Sequence, residues 1–396
     1  MRIAIAVHGR FHAFDLTREL IKKNHDVLLL TNYPKFAVEK FGIPSRNIKS
    51  FLTHGIISRV VNKIDTELIK NKSESYLHKM FGKWVKNKLS NKDFDVIVCW
   101  SGIGEETFDR FNHNPENTLL VCRRGSTHIN TQYRLLHEEQ KRTGFKQEKP
   151  SSWIISRENK EYDKADVVLV SSQFCKESFL NEGVPENKIE LLLHGVNNAV
   201  FRPELSIIDE RCKRILSGKP LRVINVGNFS FRKGMYDMKN IVKSLNKRFE
   251  FKFVGPVAKE AINLKSEIEP FAKFISKQDQ SNLIKYYTWA DLFVLPTLEE
   301  GYPAVLTHAS ASGIPILTTP NGAGNDIIVD GKNGWIRPAR SPDKFIEVLD
   351  NCDKDRIKLA QVVKDSYNNY FHRDWSAVAG KFIEICSKRL KDSNKL

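Results

Sequence analysis

Short apolar runs rich in valine, isoleucine and leucine recur along this chain, separated by stretches whose apolar positions return every three or four residues. The first pattern fits strands buried on both faces, and the second fits amphipathic helices. Strands are expected at 2–7, 26–31, 95–100, 118–122, 166–171 and 188–193, then at 221–227, 250–255, 291–296, 315–318 and 334–337. Helices such as 14–24, 173–182, 235–246 and 303–312 fill the intervals. This alternation specifies an α/β protein with parallel sheets, and the cycle restarts at Leu221. Two Rossmann-like, doubly wound domains facing across a cleft are expected, at 1–202 and 221–373. The polar stretch 203–220, flanked by Pro203, Gly218 and Pro220, reads as the linker. A final helix at 374–390 carries Trp375, Ala379, Phe382 and Ile383 on one side.

In open parallel sheets ligands bind beyond the carboxyl ends of the strands, so chemistry belongs in the loops that follow them. After the strand at 291–296 comes Thr297-Leu298-Glu299-Glu300-Gly301-Tyr302-Pro303-Ala304-Val305-Leu306. Pro303 suits the first position of a helix, whose start offers free N–H groups and a positive dipole end to a diphosphate. Glu300 is placed to accept hydrogen bonds from sugar hydroxyls; a capped helix with an exposed acidic pair is the plainer alternative. After the strand at 221–227 comes Asn228-Phe229-Ser230-Phe231-Arg232-Lys233-Gly234. Arg232 and Lys233 there suit phosphate oxygens and the charge growing on a departing phosphate. In the first half, Gly9 follows the first strand, and Arg123-Arg124-Gly125-Ser126-Thr127-His128 follows the strand ending at Cys122.

Taken together and in order, these segments resemble glycosyltransferase family 4, the large retaining group with the GT-B fold, over nearly the whole chain. Gly9 is similar to the family's N-terminal glycine loop, and Arg124 to His128 to a histidine-bearing loop of one branch. Ala165 to Ser172 with Gly183-Val184-Pro185 resembles the close of the first domain. His194-Gly195-Val196-Asn197 through Phe201-Arg202-Pro203 resembles the exit into the linker. The resemblance implies a nucleotide-sugar donor, no metal and no cofactor. It gives Lys233 and Arg232 the donor diphosphate, Glu300 the transferred sugar, and the N–H groups of Ala304 and Val305 the phosphate. It places His128 beside the reacting centre, Gly9 and Tyr302 on the donor side, and Ile275 at the nucleotide base. It also implies that the last helix crosses back onto the first domain. His308 stands where the family commonly has a ribose-binding glutamate, Asn228 where an arginine often follows the glycine, and Asn197 where aspartate is frequent.

The net charge of +16 and a pI near 9.4 favour an anionic partner. The segment 59–92 holds nine Lys/Arg against three Asp/Glu, with Phe81 and Trp84 interleaved, and reads either as a peripheral contact with an anionic membrane or as an ordinary solvated helix face. A non-catalytic membrane or nucleic-acid binder on a degenerate scaffold is the alternative, although no nucleic-acid motif accompanies the charge. The six scattered cysteines read as free thiols of a reducing compartment. The opening apolar run breaks at His8-Gly9-Arg10, too short for a signal peptide, so a cytoplasmic location is expected. Asp93-Phe94-Asp95 precedes its strand and so lies at the wrong end of the sheet for a metal-binding Asp-x-Asp. Gly102-Ile103-Gly104-Glu105-Glu106-Thr107 lacks the third glycine of a dinucleotide fingerprint. Acceptor, donor sugar and base are not legible.

Overall fold

The computed structural model describes residues 1–63, 67–112, 118–370 and 373–392, with backbone alone at 62–63 and 67–72. Seven parallel strands form the first sheet: β1 (Arg2–Val7), β2 (Asp26–Thr31), β3 (Ile48–Ser50), β4 (Val96–Trp100), β5 (Leu119–Arg123), β6 (Val167–Val170) and β7 (Ile189–Leu191). Their spatial order is β3-β2-β1-β4-β5-β6-β7. Six more form the second: β8 (Leu221–Val226), β9 (Phe249–Val254), β10 (Ala272–Ile275), β11 (Leu292–Leu295), β12 (Ile316–Thr318) and β13 (Gly334–Ile336). Their order is β10-β9-β8-β11-β12-β13. In both sheets the order reverses direction at a switch point, between β1 and β4 and between β8 and β11.

The central strands β4, β5, β6 and β11 are buried at every residue, as their unbroken apolar runs require when helices cover both faces. Each sheet has its own core. The first centres on Ile3, Ile5, Phe14, Val98, Val121 and Val168, the second on Val223, Ile224, Met238, Phe293, Leu306 and Ile316. Helix Trp375–Asp392 belongs to the first core although it follows the second sheet: Val378, Ala379, Phe382 and Cys386 are buried there, and Arg389 pairs with Glu190 of β7. This is the two-domain GT-B architecture.

The structure differs from the sequence reading in three places. The stretch 203–220 is not a free linker. Most of it is helix Leu205–Leu216, whose Ile208, Cys212 and Ile215 are buried in the second core, while Arg211 donates to the carbonyls of Tyr287, Ser312 and Gly313. Its charged residues hid an apolar stripe at i, i+4 and i+7. In 59–92, part of which (62–72) lies outside the described side chains, Phe81 is fully buried in the first core and Trp84 packs against it, stacked on Phe51. These aromatics therefore do not face a membrane. The exposed apolar stripe lies on the preceding helix Leu52–Lys63, at Leu52, Ile56 and Val60, which are 50%, 60% and 54% exposed. Finally, the acidic pair Glu299–Glu300 is buried, which sets aside the plainer alternative of an exposed pair. The six cysteines are buried free thiols, and among the described residues no helix is long and apolar enough to cross a membrane.

Candidate active site

The loops after β8 and β11, at the switch point of the second sheet, meet because of one residue without a side chain. Gly234 has φ +74°, and a Cβ there would lie 1.8 Å from the Pro296 carbonyl oxygen. Only glycine permits this approach. The turn Phe231–Lys233 thereby lies along the β11 loop, with the Leu298 N–H donating to the Arg232 carbonyl at 2.9 Å. Asn321, in the loop after β12, accepts from the Glu300 N–H and donates its amide to the Leu298 carbonyl. The outcome is a cluster of opposite charges. Lys233 Nζ lies 2.6 Å from Glu300, and Arg232 lies 3.4 Å from Glu300 and 3.2 Å from Glu299. The two carboxylates, Glu300 foremost, push the Arg232 guanidinium's pKa up, outweighing its burial. The Lys233 side chain runs over Gly227, where a Cβ would stand 3.7 Å from its Cε. Helix Ala304–Ala311 starts at once after the cluster, with Pro303 as its N-cap residue, so the N–H groups of Ala304 and Val305 open toward the same rim.

The first domain reaches this cluster through the loop after β5. Glu299 is fully buried and accepts from Ser126 Oγ at 2.6 Å, Thr127 N at 3.0 Å, Thr127 Oγ1 at 2.9 Å and Gln132 Nε2 at 3.0 Å. Burial alone would raise its pKa; Arg232 and these donors hold it at about 2. Gln132 is itself held by Arg124, which pairs with buried Glu158. A Cβ on Gly301 would meet the Gly125 carbonyl oxygen at 1.9 Å, so the two loops touch backbone to backbone. Farther out, Arg142 pairs with Asp237 and Arg340 with Glu138 and Glu139, again across the domains. The cleft is closed.

The sequence-derived site residues divide between this cluster and other places. Arg232, Lys233 and Glu300 converge, and Ala304 and Val305 open the helix that follows them in the chain. Gly9, with φ +146°, lies two residues past β1, and its carbonyl accepts from Thr31 Oγ1. Ile275 ends β10, at the same carboxyl rim of the second sheet but at its edge, and its carbonyl accepts from Gly255 N. Tyr302 turns toward the hinge, where its ring lies 5.2 Å from His194; with Asp326, Lys332, Tyr370 and Arg373 both line a cavity of about 440 Å³.

Two histidines of the resemblance make ring-packing contacts. His128 caps helix Ile129–Thr143, its Nδ1 accepting from Asn130 N, and its ring lies against Tyr162 at 5.0 Å and Phe179 at 4.8 Å. Burial lowers its pKa to about 4. An N-cap position next to a core helix aims the ring inward, which proximity in sequence to the loop could not reveal. His128→Ala is therefore expected to cost about 1 kcal/mol of stability from the lost cap and to leave turnover per folded molecule unchanged; a large fall in kcat would return His128 to the centre. His308 is stacked on Phe201 at 3.8 Å, beneath the chain leaving the first domain, with burial lowering its pKa to about 3. Its buried Nδ1 has no hydrogen-bond partner among the described residues.

Sequence reading passed over Glu299, Gln132 and the hinge stack of His12, His194 and Trp375, in which His12 lies 4.1 Å from His194 and 5.2 Å from Trp375. The doublet Glu299-Glu300 was the available signal, but two consecutive carboxylates after a strand do not disclose which one turns to the other domain.

Residues 207–369 match the family described as "Glycosyl transferases group 1". The amylovoran biosynthesis glycosyltransferase AmsK of Erwinia amylovora is 23% identical over 228 residues, covering 53% of this chain and 54% of that protein. The chain thus spans about half the length of the curated relatives it matches. Over the whole fold, sucrose-phosphate synthase of Thermosynechococcus elongatus superposes with a TM-score of 0.72 at 16% identity, covering 99% of this chain and 100% of that one. Anabaena Alr3699/HepE in complex with UDP gives 0.68 at 13% identity, covering 98% and 100%.

Proposed function

We propose, from the match of residues 207–369 to the group 1 glycosyl transferases, that the whole chain moves a sugar from a nucleoside-diphosphate donor to a hydroxyl acceptor, with retention and without a metal ion. The observation that carries this reading is the meeting of Lys233 and Arg232 at Glu300, at the switch point of the second sheet and just ahead in the chain of helix Ala304–Ala311. Two cations and a helix start stabilise negative charge on a diphosphate, the part a metal ion takes in other transferases. Glu300, fixed by Asn321 and Lys233, faces the place where the transferred sugar would lie. The bond from the anomeric carbon to the phosphate oxygen breaks, and its electron pair leaves with the diphosphate. The acceptor hydroxyl oxygen bonds to that carbon from the same face, and its proton passes to the departing phosphate. The UDP held by the Anabaena neighbour agrees with a donor of this class. The test is NMR of the product formed in the presence of EDTA: retained anomeric configuration and undiminished rate support the reading, while inversion or loss of turnover with EDTA opposes it.

The acceptor side has its own proposal, a lipid-linked acceptor met at an anionic membrane. Helix Leu52–Lys63 starts on the carboxyl rim of the first sheet, its Gly55 packed against the Asn32 carbonyl beside the Gly9 loop. Leu52, Ile56 and Val60 form an exposed stripe, and residues 33–63 carry six Lys/Arg against the single acid Glu39. Ile56→Asp is expected to reduce sedimentation with vesicles containing phosphatidylglycerol. Equal recovery of the wild type with anionic and neutral vesicles would remove the membrane contact.

A further inference from the structure

We propose that Glu299 is a positioning residue that makes closure of the two domains and the aiming of Arg232 one event; this rests on the donor site proposed above. A fully buried carboxylate is costly unless its oxygens are satisfied. Here five hydrogen bonds satisfy them. Four come from the first domain, through Ser126, Thr127 and Gln132, and the fifth comes from Arg232 Nη1 of the second. With its lone pairs so occupied, Glu299 does not itself bind donor; it acts through Arg232.

The first-domain donors are held rigidly. Arg124 donates to Gln132 Oε1 at 2.8 Å while bonding Glu158 at 2.9 Å and the Thr127 carbonyl at 3.0 Å, so the donating geometry is fixed beyond the end of β5. On the other side, Arg232 lies between Glu299 and Glu300, and the second of these is the partner of Lys233. A polar chain therefore runs Arg124, Gln132, Glu299, Arg232, Glu300, Lys233, from one sheet to the other. When the domains part, the four first-domain bonds break together, and the Arg232 guanidinium loses the fixed anchor that sets it between the two carboxylates. When they close, Arg232 is re-aimed at the place of the diphosphate. Neither Gln132 nor Ser126 belongs to the donor side, yet both act on it by this route.

The test compares the full-length wild type with Glu299→Gln, Glu299→Asp, Gln132→Leu and the Glu299→Gln/Gln132→Leu pair. Small-angle scattering reads closure, UDP and GDP titrations read nucleotide binding, and steady-state kinetics read transfer. Glu299→Gln is expected to enlarge the radius of gyration and to lower kcat by roughly 10-fold or more, since misplacing a charged group by about 1 Å has effects of that size. The donor KM should stay within about threefold, because Lys233 and the helix start remain. Gln132→Leu should act in the same direction, and the pair should be no worse than Glu299→Gln alone. A merely structural role would lower the melting temperature without the split between kcat and KM. An unchanged radius in Glu299→Gln, or additive effects in the pair, overturns the proposal. If the wild type binds neither nucleotide and transfers nothing, the donor-site reading fails, while scattering still decides whether Glu299 is the latch.

Discussion

Lys233→Ala is expected to lower turnover by roughly 100-fold or more while the protein stays folded. The ammonium is nine-tenths buried and lies 2.6 Å from Glu300, in a cleft from which the closed domains exclude much of the water. A charge so placed does little for a distributed ground-state diphosphate that it would not do better for the leaving group as its bond breaks, so the loss should fall on kcat more than on KM. The fold should survive because Arg232, 3.4 Å from Glu300, still partners the carboxylate. Lys233→Arg keeps the charge but replaces a point donor on a flexible stem with a planar fork, and should recover only part of the rate. Steady-state kinetics with the donor identified by binding decide the matter; wild-type turnover in Lys233→Ala would remove it from the mechanism.

The second large effect is expected at Gly301. A methyl group there would lie 1.9 Å from the Gly125 carbonyl oxygen and 2.9 Å from Ser171 Oγ, both on the first domain. Backbone lies on both sides of the Gly125 contact, so no side-chain rotation relieves it; the domains must separate by more than 1 Å. Gly301→Ala should therefore reduce kcat/KM by roughly 100-fold, with each domain's core untouched. Gly125→Ala is the control, since a Cβ at Gly125 meets nothing within 4 Å. Near wild-type kcat/KM in Gly301→Ala would show that catalysis does not use the closed arrangement.

Most of the fold was legible because buried parallel strands carry unbroken apolar runs, as in β4 and β11. The two strands the pattern did not announce, β3 (Ile48-Lys49-Ser50) and β10 (Ala272-Lys273-Phe274-Ile275), are sheet edges, where exposed lysines interrupt the run. Helix Leu205–Leu216 was obscured in the same way, by Asp209, Glu210, Lys213 and Arg214 between its buried positions. The site was legible where residues adjacent in sequence act together, as Arg232 with Lys233. It was not legible where function depends on a contact between domains: Ser126 and Glu299 are 173 residues apart, and no local pattern joins them. His128 shows the converse. Its neighbours lie at the cleft, but its own side chain caps a helix and packs into the core.

The most direct test of the central claim is thermal unfolding of the wild type and Lys233→Ala with UDP, GDP, ADP and TDP, each with EDTA. A nucleotide at a hundred times its Kd adds about 2.7 kcal/mol to the folded state, enough to raise the melting temperature visibly. The donor site described here predicts such a rise for at least one nucleotide, unaffected by EDTA and much reduced in Lys233→Ala. No rise with any nucleotide, or one equally large in the variant, would contradict it.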